Sequence, residues 1–197
     1  MKNILLLTLF STVCSLGVMG AAHAEKADSE KEAVITARSG LVDDVKQTRT
    51  LTGDVVLVKG TLTMKAGRAL ITEDPQGYQF ITFWADPGKL ATFRQKRDGA
   101  GDLWVEGEAE RVEYNNKTEV VKLFSKAKLT RLEGTKPTDV ANGAFISYDS
   151  RKEVFTMENS DSGTSTPDGG SVRMVIQPKT KAPAAEKAPA TPAPGKK

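Results

Sequence analysis

Apolar and polar residues alternate with a period of two along much of the chain, a pattern that specifies strands rather than helices. Leu62 and Met64 alternate with polar neighbours in one run, and Val55 and Leu57 can share the same face in the run before it, so the two runs are expected to form a hairpin. Similar runs follow at residues 79–84, 90–96, 103–107, 120–124 and 127–132. Turn-forming residues separate them, and no stretch of ten residues carries a helical stripe. The sequence therefore predicts an all-β sandwich, barrel or solenoid-like roll of antiparallel strands.

An internal repeat narrows this choice. Residues 109–123 align without a gap with residues 143–157, at an offset of 34. A fainter copy, at an offset of 72, aligns Ala37, Asp43, Leu51 and Val55 with Ala109, Asn115, Leu123 and Ala127. Each unit reads as strand, tight turn, strand. Because one hairpin cannot bury its apolar face alone, the repeat predicts hairpins stacked around a continuous core.

The first 24 residues have the features of a cleaved export signal. Lys2 precedes an apolar run over residues 4–20, and Ala22 and Ala24 occupy the positions that a signal peptidase reads. A retained anchor and a lipoprotein attached through Cys14 are the weaker alternatives. The only cysteine, Cys14, and the only histidine, His23, lie in this segment. We therefore expect a mature periplasmic protein without disulfides, thiolate metal sites or histidine catalysis.

The C-terminal segment differs in composition from the body. Residues 178–197 are rich in Pro, Ala and Lys, which predicts a disordered tail because such residues bury little apolar surface. The tail suits a solubilising linker, or a weak attraction to anionic surfaces. Without signal and tail, the predicted domain at residues 25–177 has 22 basic and 24 acidic residues. We expect no nucleic-acid partner, because the domain has no excess of cations for phosphates.

Few residues of the body offer catalytic chemistry. Glu106, Glu108 and Glu110 alternate on one predicted strand, so their carboxylates would project from the same face about 7 Å apart. A hydrolase acting through Glu106 and Glu110 is one hypothesis, but alternating glutamates are more typical of a solvated sheet face. The acids at Asp98 and Asp102 read as turn residues. We expect no enzyme activity, no metal and no cofactor.

The apolar faces of the strands are more informative. The inward candidates are Ile35, Leu57, Leu62, Met64, Phe93, Val112, Tyr114, Leu123, Ile146, Tyr148 and Phe155. One interpretation is a closed core, which would suit a structural or adhesion-type β-repeat protein of the envelope. The other is a roll that leaves part of this interior open as an apolar groove for acyl chains. The residues alone leave both open.

Three blocks in order carry a family resemblance: Thr-Gly-Asp-Val from residue 52 with Gly60-Thr61, Ala-Thr-Phe from residue 91, and Val-Glu-Gly from residue 105. Over residues 33–176 the chain resembles the OstA-like family of lipopolysaccharide-transport proteins. The resemblance implies a twisted, slightly open antiparallel β-jellyroll whose copies stack head to tail as a periplasmic bridge. Such a bridge would join an inner-membrane transporter complex to an outer-membrane translocon and carry lipopolysaccharide along the apolar groove.

The terminal strands are the expected contact points for such stacking. Residues 34–37 and 172–176 would be sheet edges with unpaired backbone groups, through which further strands can be added. The polar segment at residues 158–170 departs from the family pattern, and the tail is extra relative to the common body.

Overall fold

A computed structural model describes residues 28–178 of the protein. The predicted signal with Cys14 and His23, and the predicted tail beyond Pro178, lie outside the described residues. Within residues 28–178 no helix has the length and apolar character needed to cross a membrane. All strand pairs are antiparallel, so the all-β prediction is confirmed.

Twelve strands form the described fold. They are β1 (Ala33–Thr36), β2 (Ser39–Asp43), β3 (Thr48–Lys59), β4 (Leu62–Glu73), β5 (Gln79–Trp84), β6 (Ala91–Lys96), β7 (Leu103–Ala109), β8 (Arg111–Asn115), β9 (Val120–Glu133), β10 (Lys136–Asp149), β11 (Val154–Glu158) and β12 (Arg173–Ile176). The runs at residues 120–124 and 127–132 belong to the single strand β9. Sequence alternation separated them because Ser125 and Lys126 form a bulge with positive φ at both residues, which interrupts the period of two.

The four long strands each pair with two short ones, and this divides the fold into two sheets. Sheet one has the order β2, first half of β3, second half of β4, β5, β8, first half of β9, second half of β10, β11. Sheet two has the order β1, second half of β3, first half of β4, β6, β7, second half of β9, first half of β10, β12. The fold is therefore one sheet bent over along a line, as in a jellyroll.

Every passage between the two sheets lies on the same side, which we call the spine. It consists of the bends in the four long strands and the links at residues 37–38, 85–90, 110 and 159–172. The hairpin turns lie on the opposite side, which we call the mouth. Those of sheet one are at residues 44–47, 74–78, 116–119 and 150–153, and those of sheet two are at residues 60–61, 97–102 and 134–135.

The sequence repeat corresponds to repeated turns at the mouth. Three turns of sheet one each hold a residue with positive φ at the repeat spacing: Gln47 at 51°, Glu119 at 57° and Glu153 at 53°. In each turn the side chain that ends the preceding strand accepts backbone N–H bonds: those of Asp43, Asn115 and Asp149. The fainter copy also aligns the bulge at Gly53 and Asp54 with that at residues 125–126. Both sequence offsets therefore correspond to features that recur in the structure, the turns of sheet one and the bulges.

Candidate functional site

The candidate groove residues lie on continuous rows that run across the strands between the two sheets. In sheet two, register places one residue of each strand side by side in what we call the middle row: Ile35, Leu57, Met64, Phe93, Gly107, Leu129, Ala141 and Met174. Four of the predicted residues are neighbours here. The row spans all eight strands of the sheet, parallel to the direction in which strands would be added at either edge.

Sheet one contributes two facing rows. Its spine row is Leu51, Ala69, Phe83, Val112, Leu123, Ile146 and Met157. Its second row, one step nearer the mouth, includes Ile71, Ile81, Tyr114, Val121, Tyr148 and Phe155. These two rows contain six of the predicted groove residues. Leu62 lies in sheet two, nearer the mouth than the middle row. Sequence alternation could assign these residues to a face but not order them across strands, because register is set by bulges and turns.

Most of these side chains are in contact across the interior. Nine of the eleven are buried, with Tyr114 the most accessible of them at 5%. The rings of Phe93 and Tyr148 stack with centroids 6.3 Å apart, which joins the middle row of sheet two to the second row of sheet one. Ile35 and Phe155, on strands at opposite ends of the stack, are only half-buried. In this conformation the interior is closed at its centre and more accessible towards its ends.

Small side chains of sheet two lie beside the bends at the spine. Ala91 pairs with Ala109, and Ala127 pairs with Gly143. Gly107 is required in the middle row, since a Cβ there would lie 2.1 Å from the Phe93 ring. Small residues at these positions leave room for the larger side chains that pack beside them.

The row of sheet two nearest the mouth has a different chemistry. This rim row contains Ala33, Lys59, Leu62, Gln95, Val105, Arg131, Asp139 and Ile176. Lys59 and Gln95 are buried despite their polarity. Sequence analysis missed them, although the signal was present: Lys59 continues the inward positions of Val55 and Leu57 at a spacing of two. The interior thus changes from apolar at the spine to polar at the mouth.

A carboxylate ties the N-terminal residues to this rim. Asp28 accepts hydrogen bonds from the backbone N–H of Thr61 at 2.8 Å, from the Thr61 hydroxyl, and from Gln95 Nε2 at 3.3 Å. Across the mouth, burial raises the pKa of Tyr114 above its ordinary range, and the negative charges of Glu119 and Asp28 add to the effect. Tyr114 therefore keeps its phenolic proton at neutral pH.

Two arginines join the sheets across the mouth further along the stack. The Arg97 guanidinium lies 2.5 Å from the carboxylate of Glu153, in a turn of sheet one. Arg131, of the rim row, donates to the Glu153 carbonyl at 2.6 Å, and its guanidinium lies 4.8 Å from the centre of the Phe155 ring. We call this group, Arg97, Arg131 and Glu153, the latch. It connects polar groups of one rim to the other where the two sheets are not joined covalently.

The alternating glutamates lie on the outer face of sheet two. Glu106 pairs with Arg94, Glu108 with Lys128 at 3.1 Å and Glu110 with Lys126 at 2.6 Å. All three carboxylates are more than a third exposed. This is the solvated face that the alternation favoured. Among residues 28–178 no three Asp, Glu, His or Cys side chains are grouped to hold a metal ion.

The fold and its interior define a class: a folded-over β-roll whose apolar rows end in a polar rim. Comparison of the sequence with protein-family models identifies a family with this fold. Residues 34–154 match the model of the LptA/(LptD N-terminal domain) LPS transport protein family. The match covers more than half of the chain, and the protein belongs to this family.

Two relatives illustrate the range of similarity. The lipopolysaccharide export system protein LptA of Haemophilus influenzae is 28% identical over 133 residues, which cover 68% of this chain and 73% of that protein. The crystal structure of LptH from Pseudomonas aeruginosa, described as the LptA-homologous periplasmic component of the lipopolysaccharide transport device, superposes with a TM-score of 0.66 at 23% identity. The superposition covers 77% of this chain and 99% of LptH, and it supports the jellyroll fold.

Proposed function

We propose that this protein is a periplasmic lipopolysaccharide carrier that holds the acyl chains of its ligand in the interior of the roll, on the way from the inner to the outer membrane. One observation carries this proposal: the middle row of sheet two is continuous over all eight strands, from Ile35 to Met174. An acyl chain parallel to this row can move along the stack without leaving apolar surroundings. Membership of a family of lipopolysaccharide transport proteins gives the ligand its identity.

The difference between spine and mouth suggests how the ligand enters. The spine is covalently continuous, whereas the rims at the mouth are held together by the latch. Separation of the rims would admit acyl chains to the middle row and leave the sugar headgroup at the mouth. Each methylene that leaves water contributes about 0.8 kcal/mol. Binding and release break no covalent bond of the ligand, so this function needs no catalytic group.

The two ends of the stack are suited to β-strand addition. Within the described residues 28–178, β1 pairs only with β3, and β12 pairs only with β10, so each has one free edge there. Apolar side chains are exposed at both ends, Val34 at 54% and Ile176 at 70%. We propose that copies of the protein, the inner-membrane transporter complex and the outer-membrane translocon add at these edges, which would extend the apolar rows from one protein to the next.

Photo-crosslinking tests the ligand. A photoreactive residue at Phe93 or Tyr114, in the interior, should capture lipopolysaccharide in cells that make it, whereas one at Thr92, on the opposite face of β6 from Phe93, should not. Absence of an adduct from both interior positions would contradict the proposal.

The closed core of a structural envelope protein is the competing function, and the near-complete burial of nine candidate groove residues favours it. Depletion of the protein from its native cells separates the two. Under the carrier proposal, newly made lipopolysaccharide accumulates at the inner membrane. Under the structural alternative, its delivery to the outer membrane continues at the normal rate.

Disulfide formation tests the stacking. Residues 28–178 contain no cysteine, so cysteines introduced at Ile35 and Met174, the two ends of the middle row, provide a clean readout. The double variant should form a ladder of disulfide-linked multimers under mild oxidation, while either single variant should stop at dimers. A double variant that also stops at dimers would exclude head-to-tail addition through these edges.

A further inference from the structure

We propose that Lys59 is the centre of a phosphate-binding site at the mouth, which takes a phosphate group of the lipopolysaccharide headgroup while the acyl chains lie in the interior. The site rests on the proposed carrier function and extends it from the chains to the headgroup. Its ligand chemistry is that of a phosphate monoester attached to an acylated sugar.

Lys59 is unusual in its position. It follows Val55 and Leu57 at the inward positions of β3, and only 7% of the residue is exposed. Among residues 28–178 no carboxylate lies within ion-pair distance of its ammonium group. The stem of Lys59 is thus enclosed at the rim, and its ammonium group has no carboxylate partner among the described residues. An anion at the rim would gain a charge-assisted hydrogen bond from it, and the position therefore points to a ligand.

The space beside Lys59 is large enough for a headgroup fragment. A cavity of about 290 Å³ opens between the rims of the two sheets. Leu57 and Ile81 provide its apolar wall. The polar lining residues are Ser29, Lys31, Lys59, Gln79, Tyr114 and Asn116. A second ammonium, a hydroxyl, two amides and a protonated phenol can all donate hydrogen bonds to phosphate oxygens.

The carboxylates near this cavity are already engaged. Asp28, on the same rim as Lys59, accepts from Thr61 and Gln95. Glu119, which faces Tyr114, is paired with Arg151 at 3.3 Å. Arg97 and Arg131 contact Glu153 on the far part of the mouth. Neither Asp28 nor Glu119 forms an ion pair with Lys59, whose charge is therefore available to a ligand in this cavity.

Lipid A with both, one or neither of its phosphates tests this site in direct binding measurements on the purified protein. The wild-type protein should prefer the bisphosphorylated form over the dephosphorylated form by about tenfold or more, the range of a charge-assisted hydrogen bond. Lys59→Met, which keeps the apolar stem, should lose that preference and bind dephosphorylated lipid A as the wild type does. Lys59→Arg should restore it. Lys65→Met removes the same charge from the outer face of the adjacent strand β4 and should behave as the wild type.

The other outcomes of these binding measurements would overturn the phosphate site, the carrier proposal or the identity of the ligand. Lys59→Met that stays folded and keeps the phosphate preference overturns the site. If no form of lipid A binds the wild-type protein, the carrier proposal itself is wrong. Inorganic phosphate at millimolar concentration should not displace bisphosphorylated lipid A. Displacement that Lys59→Met abolishes would mean that the site takes free phosphate and not a lipid headgroup.

Discussion

The middle row and the rim row of sheet two lie two residues apart on every strand, yet they differ in chemistry. Leu57, Phe93 and Leu129 in the middle row are followed towards the mouth by Lys59, Gln95 and Arg131 in the rim row. The middle row is held by packing against sheet one, whereas the rim row combines the buried apolar residues Leu62 and Val105 with side chains that make hydrogen bonds and ion pairs. Polar contacts can be exchanged for equivalent contacts with water, whereas packed apolar contacts have no equivalent in water.

This difference separates the residues that set the free energy of unfolding from those that control the opening of the mouth. A change in the middle row or at the spine should alter the free energy of unfolding, because it leaves a void or forces the sheets apart. A change at the mouth should alter mainly how readily the rims separate. Four experiments test this division, in order of decreasing expected effect.

Phe93→Ala should have the largest effect. The side chain is 2% exposed, packs on Gly107 and stacks with Tyr148. Its removal leaves a cavity in the middle row and should lower the free energy of unfolding by about 3–5 kcal/mol, measured by urea denaturation. Thr92→Ala, on the outer face of the same strand, should cost much less. Equal losses for the two variants would mean that the interior is not a packed core.

Ala109→Leu tests the packing at the spine. Ala109 is fully buried beside Ala91 at the spine, so a larger side chain must push the sheets apart. We expect a loss of about 1–3 kcal/mol in the free energy of unfolding. Glu108→Leu adds the same side chain on the outer face and serves as the control. An unchanged Ala109→Leu variant would show that the spine has unfilled space.

The latch should contribute less to stability but more to opening. A double-mutant cycle with Arg97→Met and Glu153→Gln should give a coupling energy of about 1–2 kcal/mol. Amide exchange of the mouth turns should become faster in either single variant, while that of the strand residues beside the spine should not change. Additive energies, with a coupling near zero, would mean that the latch does not hold the rims together.

Asp149→Asn should have the smallest effect at neutral pH. Burial acts to raise the pKa of Asp149, but hydrogen bonds from the side chain and backbone of Lys152, with the charges of Lys152 and Arg151, outweigh it and lower the pKa. The ionised carboxylate therefore stabilises the folded state above about pH 4, and this contribution is lost as the pH falls through the lowered pKa.

The effect of Asp149→Asn should be small because the repeated hairpin has an asparagine at the equivalent position. Asn115 makes the same turn contacts in the sister hairpin, so an asparagine at 149 should cost no more than about 1 kcal/mol at pH 7. Urea denaturation of the variant from pH 6 to pH 3 should show a weaker loss of stability than in the wild type. A parallel pH dependence of the two proteins would contradict the assignment.

Much of the fold was readable from local pattern. Period-two alternation predicted a strand at residues 79–84, which are the bounds of β5. The offset of 34 predicted equivalent turns at Glu119 and Glu153. The edges were expected near Val34 and Met174, where β1 and β12 lie. These features depend on residues close together in the chain, which is why a single sequence reveals them.

The order of residues in the rows and the composition of the mouth could not be predicted from local sequence pattern. β3 changes partner from β2 to β1 at its bulge, and this change decides which side chains become neighbours across the fold. Sequence alternation assigned Leu57 to the interior, but it could not show that Lys59 follows it into a cavity opposite Tyr114. The polarity of a lysine favours the surface, and only its place in the rim row reverses that expectation.

The amino-acid sequence by itself determined the strand content, the repeated hairpins, the apolar face and the family, because each depends on local spacing or on residue identity. Tertiary structure alone decided that the inward residues form continuous rows and that the latch and Lys59 lie at the mouth. The physical reason is register: hydrogen bonding between strands far apart in the chain aligns these side chains, and bulges set where each alignment begins.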